Sequence, residues 1–149
     1  MAIYKPETIP EFKLEEENIP LTEDKIDVIN IRFDFNQFVV YEEITSSSDL
    51  TITCGFKPKF IHIQAMYPNI IEPDYSETQS AEIDGVWKTM MTKQTTRFNE
   101  VALGDSSSTK AVDLQDNECY AYITDVTDTG FTLGTITYNS QAALHISIL

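Results

Sequence analysis

Cys54-Gly55-Phe56-Lys57-Pro58-Lys59 runs straight into Phe60-Ile61-His62-Ile63-Gln64-Ala65-Met66. Gly55 can take backbone angles closed to other residues, while Pro58 fixes φ and has no N–H to donate. The pair marks a tight corner. Past it, Phe60, His62, Gln64 and Met66 fall on one face of an extended chain, and Ile61, Ile63 and Ala65 on the other. A corner feeding such an alternating run reads as the entry to the spine strand of an all-β domain.

The pattern continues on both sides of this stretch. Upstream, residues 26–35 alternate, and Asn36-Gln37 offers a turn into a strand at 38–41. A polar loop at 45–49 leads to a short strand at 50–54. Downstream, 67–81 carries Pro68, Asn69, Pro73 and Asp74 without periodicity and reads as a long loop. Asp84-Gly85 is a turn signal, with Trp87 just beyond it. Strand-like runs follow at 86–92, 97–103, 109–114, 119–126, 131–138 and 142–149, the last expected to lie in the sheet. About ten short strands at ~8–12-residue spacing, with no helical period, predict an antiparallel β-sandwich, jelly-roll or Ig-like, over 26–149.

Residues 1–25 have a different composition. Three of the six prolines lie here without a glycine, and eight acidic residues stand against three basic ones over 1–27. Tyr4, Ile9, Phe12, Leu14, Ile19 and Leu21 are dotted singly among them, in neither a helical nor a strand pattern. Two readings fit: a solvated acidic tail, or an extended arm whose spaced apolar anchors order against a neighbouring subunit.

Bulk properties narrow the partners. A chain of 149 residues, 42% hydrophobic and 11% aromatic, can bury a core and is too apolar for a disordered polymer. Its net charge of −14 argues against nucleic acid, whose phosphates need a basic surface, and against an anionic membrane. A self-repelling, soluble surface and a basic protein partner both accommodate that charge. No run is long and apolar enough for a membrane span or a signal-peptide core, so a cytosolic start is expected. Cys54 and Cys119 lack metal or redox spacing and read as free thiols on separate strands.

Signals for chemistry are sparse. His62 and His145 both sit inside strand-like runs, and no Gly-x-Ser-x-Gly elbow accompanies them. Cys54, Cys119 and the two histidines are ligand types that suit zinc, but they lack its short spacings. The acids around Asp113 and Asp125 do not follow the alternating oxygen pattern of a calcium loop. The carboxylates are too many for sequence to single out a glycosidase pair. The five scattered glycines make no phosphate cradle. No catalytic residue, metal or cofactor is therefore assigned. Tyr67, Tyr75 and Trp87, in or near the 67–81 loop, are the candidate ligand-binding aromatics, since such rings stack on sugars or anchor interfaces; alternatively, Trp87 plugs the core.

Three segments in order, Gly55-Phe56-Lys57-Pro58-Lys59-Phe60-Ile61, then Asp128-Thr129-Gly130-Phe131-Thr132-Leu133-Gly134, then Ala143-Leu144-His145-Ile146-Ser147-Ile148, resemble a recurrent bacteriophage virion module. The resemblance covers roughly 50–149, and makes Gly55, Phe56, Pro58, Gly130 and Phe131 its fold-defining positions. It implies a β-sandwich of phage tails, fibres or capsid surfaces. The expected function is a non-enzymatic virion structural protein, a capsid decoration or cement protein or a tail component. Its expected partners are other virion proteins and further copies of itself, met through the arm after synthesis in the host cytoplasm. The alternative is a carbohydrate-binding, host-receptor module of a tail fibre or baseplate.

Overall fold

The computed structural model describes residues 36–67, 74–95, 99–114 and 118–149, and Asn36–Leu149 forms one compact unit. The expected arm at 1–25, with its six apolar anchors, and the expected strand at 26–35 lie outside the described residues. Ten strands follow: β1 (Phe38–Ile44), β2 (Leu50–Thr53), β3 (Phe60–Met66), β4 (Tyr75–Ile83), β5 (Val86–Gln94), β6 (Asn99–Asp105), β7 (Val112–Leu114), β8 (Cys119–Thr127), β9 (Gly130–Tyr138) and β10 (Ala142–Ile148). They form two antiparallel sheets, β1-β10-β3-β4-β5-β6 and β2-β9-β8-β7. One hydrophobic core draws on both, so the unit is a β-sandwich.

The spine strand behaves as its alternation demands. Ile61, Ile63 and Ala65 of β3 are fully buried, opposite Ile148, Ile146 and Leu144 of β10. Phe131 and Leu133 of β9 supply the facing layer from the other sheet. Its corner is a clasp between distant parts of the chain. Gly55 adopts φ +88°, and the N–H groups of Cys54 and Gly55 both donate to the carbonyl of Thr129, at 2.8 and 3.0 Å. At its far end, Lys59 and Phe60 donate to the carbonyl of Leu149 at 2.6 and 3.0 Å, with Pro58 buried between. Gly55 and Gly130, seventy-five positions apart in sequence, thus meet at one point of the four-stranded sheet, where Thr53 pairs with Gly130 and Ile52 with Phe131. Phe56 is half-buried and packs on the core, whereas Phe131 is buried outright. Lys57 reaches Glu82 at 3.9 Å across an exposed surface.

One expectation fails. Residues 75–81 are not loop but most of β4, which pairs along its whole length with β5 and from Tyr75 to Ala81 with β3. Its inward residues are Ser76, Thr78 and Ser80, so the face that enters the sandwich carries no hydrophobic alternation. The β4–β5 turn at Asp84-Gly85, with φ of 53° and 80°, is the tight hairpin its sequence announces.

Ser76 and Ser80 belong to a polar seam in the interior. Ser80, Thr89 and Ser106 form a chain of contacts at 2.8 and 2.7 Å. Lys93 of β5 meets Asp113 of β7 across the sandwich at 3.2 Å, and Lys110 reaches the other carboxylate oxygen at 3.3 Å. The Asp113 N–H donates to Ser76 Oγ at 3.2 Å. A pair buried this deeply must be hydrogen-bonded to be tolerable.

Candidate functional site

What the sandwich turns outward is the second face of the six-stranded sheet. Cross-strand register lines up side chains in rows. One row is Tyr41, His145, Gln64, Glu77, Thr92 and Val101, and the next is Val39, Ser147, His62, Gln79, Met90 and Leu103. A third passes through Glu43, Ala143, Met66 and Tyr75. Large apolar side chains stand exposed at both ends of the sheet: Tyr41 (76%) and Val39 on β1, Val101 (68%) and Leu103 (75%) on β6.

The β1–β4 half of this face holds a hollow of about 380 Å³. Ala143 leaves its floor low, and Tyr41, His145, Gln64, Met66 and Tyr75 stand around it. The Tyr41 ring lies 4.8 Å from the His145 ring at 35°, and His145 Nδ1 contacts Gln64 Oε1 at 3.1 Å. Beside them, His62 Nε2 contacts Glu77 Oε2 at 2.8 Å. The two histidines are therefore strand residues held by amide and carboxylate partners. Aromatic rings flanking amide, carboxylate and imidazole groups offer stacking together with directional hydrogen bonds.

The structure separates the three aromatics picked from sequence. Tyr75 lies on β4 at the rim of this hollow. Tyr67 is half-buried beside the core; burial pushes its phenol up to about 12, with Ser140 pulling it back and Asp74, Cys119 and Glu118 pushing further. Trp87 is half-buried against the core and lines a separate hollow of about 350 Å³ with Asp105, Ser106, Asp125 and Val126. Tyr41 and His145 were missed. Alternation puts both on the outward face of their strands, but only the pairing of β1 with β10, about a hundred residues apart, makes them neighbours.

Other chemistry finds no assembled centre. The cysteines are unpaired in a disulfide, and among the described residues no three His, Cys, Asp or Glu side chains cluster as metal ligands. Cys119 is buried in the four-stranded sheet, far in topology from the outward histidines, and burial, with Asp113 adding to it, pushes its thiol up to about 11. Cys54 Sγ donates to the carbonyl of Phe56 at 3.1 Å.

No family model, curated protein or solved structure matches this chain.

Function must therefore be read from surface chemistry. That chemistry centres on one sheet face with an aromatic hollow near β1 and an apolar row near β6.

Proposed function

We propose that this chain is a non-enzymatic structural protein of a bacteriophage virion, a decoration or cement protein of the capsid or a tail-associated one. Residues 1–25 attach it to the particle, and the sandwich meets neighbouring subunits. The observation that carries this reading is the outward face of the six-stranded sheet, which presents Val39, Tyr41, Met66, Met90, Val101 and Leu103 exposed. Apolar groups gathered on one face of an otherwise charged protein are the mark of an interaction surface. The net charge of −14 weighs against nucleic acid or anionic lipid as the partner of that face. An arm with spaced anchors suits repeated symmetric contacts, because it spreads attachment over many small interactions. Deleting residues 1–24 is expected to leave the sandwich folded, with unchanged thermal unfolding, and to abolish incorporation into particles. Normal incorporation of the truncated chain would overturn the arm's role.

A second reading has its own observation. The hollow between Tyr41 and Tyr75, with Gln64, Glu77 and His145 around it, has the chemistry of a sugar site on a host-receptor module. On an array of host surface polysaccharides, this reading expects a signal that Tyr41→Ala and Tyr75→Ala abolish and Trp87→Ala leaves intact. Silence across the array, or equal loss in Trp87→Ala, would remove it.

A further inference from the structure

The four edges of the two sheets are not alike. β2 and β7 are four and three residues long, and short edges pair poorly with other chains. β1 carries Glu42-Glu43 just before its last residue, charges that discourage a further strand. Among the described residues no strand covers the outer side of β6, and its two charges, Glu100 and Asp105, lie toward its ends. Its seven residues, Asn99-Glu100-Val101-Ala102-Leu103-Gly104-Asp105, contain no lysine and no proline, and its pairing with β5 runs without a bulge. At its centre, Val101 and Leu103 point outward, and they are exposed at 68% and 75%. A flat apolar edge of this kind is a template for a further strand.

Its sequence also says which strand fits. In an antiparallel pair, residues facing one another share a side of the sheet. When β6 meets a second β6 about a two-fold axis at Ala102, Val101 falls opposite Leu103 twice, giving two apolar cross-strand pairs on the outward face. Asn99 then faces Asp105, an amide donor against a carboxylate, and Glu100 faces Gly104, which has no side chain to oppose it. No carboxylate faces another. Moving the axis one residue toward Gly104 sets Asp105 against Val101. Moving it two toward the start of the strand sets Glu100 against Glu100. Among these registers, apolar and charge complementarity favour the one centred on Ala102, and Lys88, which holds Asp105 at 2.6 Å from the neighbouring strand, moderates the acidic end.

We infer that β6 is a homodimer interface, in which two copies of this chain join edge to edge through Asn99–Asp105 into one continuous twelve-stranded sheet. This deepens the assembly reading by naming the first partner as a second copy, and it rests on the same outward face. Because it is read on the free protein, it can fail while particle incorporation stands, and the reverse.

The test is the solution mass of the full chain, by light scattering after size exclusion, across a dilution series. The intact chain is expected to give a dimer that dissociates on dilution. The double variant Val101→Lys, Leu103→Lys, altered only at exposed side chains, is expected to give the monomer mass with its thermal unfolding unchanged. A second variant, Ala102→Cys, places two thiols at the two-fold axis within disulfide reach and is expected to give a covalent dimer on mild oxidation. A cysteine at exposed Glu82, away from β6, should not. A monomer at every concentration, a dimer that survives both lysines, or equal cross-linking from either cysteine would overturn the proposal.

Discussion

Replacing Asp113 with alanine is expected to cost the domain about 3–5 kcal/mol, the usual penalty for removing one partner of a buried ion pair. In thermal unfolding followed by circular dichroism, that is a fall in Tm on the order of 10 °C. The side chains of Asp113 and Lys93 are only 7% and 4% exposed, so water cannot take over the role of the missing carboxylate at Lys93. Lys110 is different: it is 24% exposed and lies 4.4 Å over the Tyr120 ring, so it can turn outward. The effects should accordingly be unequal. Lys93→Met leaves Asp113 with Lys110 and costs less than Asp113→Ala. Replacing both, as Lys93→Met with Asp113→Leu, costs less than the two single changes added together, because no charge is then stranded inside. A loss below about 1 kcal/mol for Asp113→Ala would mean that the pair is solvated rather than buried.

Gly130→Ala is expected to be comparably severe, for a steric reason. A Cβ placed there would lie 1.9 Å from the carbonyl oxygen of Ile52 and 3.0 Å from the Thr53 Cα, both backbone atoms that cannot swing aside. β9 would have to part from β2, loosening the clasp in which Thr129 accepts from Cys54 and Gly55. The expected cost is about 3 kcal/mol or more. Gly55→Ala is the instructive contrast. Nothing lies within 4 Å of its added Cβ, and the penalty comes only from holding an alanine at φ +88°, roughly 1–2 kcal/mol. Chemical denaturation of both variants tests the order; a milder Gly130→Ala would mean that the β2–β9 contact is looser than described.

The sandwich was legible wherever a strand buries hydrophobic residues on one side. β3, β8, β9 and β10 follow this rule, and their inward faces were visible in the alternation of Ile61, Ile63, Ala65 or Leu144, Ile146, Ile148. β4 was hidden because Ser76, Thr78 and Ser80 enter the core, where Ser76 meets the Asp113 backbone and Ser80 meets Thr89, partners that do not announce themselves in sequence. Pro73 and Asp74, just before it, strengthened the impression of a loop. Nothing in sequence marks Asp113 as buried; its burial depends on β7 lying across β5. The candidate surface shows the same division. Outward placement of Tyr41, His145, Val101 and Leu103 follows from alternation, but their rows depend on the order in which the strands assemble. Tyr67, Tyr75 and Trp87 seemed a cluster only because they are close in sequence.

The corner at Gly55 keeps the structural role that its sequence suggested, as the joint between the Asp128-Thr129-Gly130 turn and the spine strand. In the proposed function, assembly falls to the outer sheet face and to residues 1–25. The most direct measurement of that division is the protein content of phage particles purified through a density gradient from the host that produces this chain. Mass spectrometry is expected to find the chain in many copies per particle, and gold-labelled antibody against it to decorate the particle surface. A chain confined to the unassembled fraction, with none in the purified particles, would contradict the virion role.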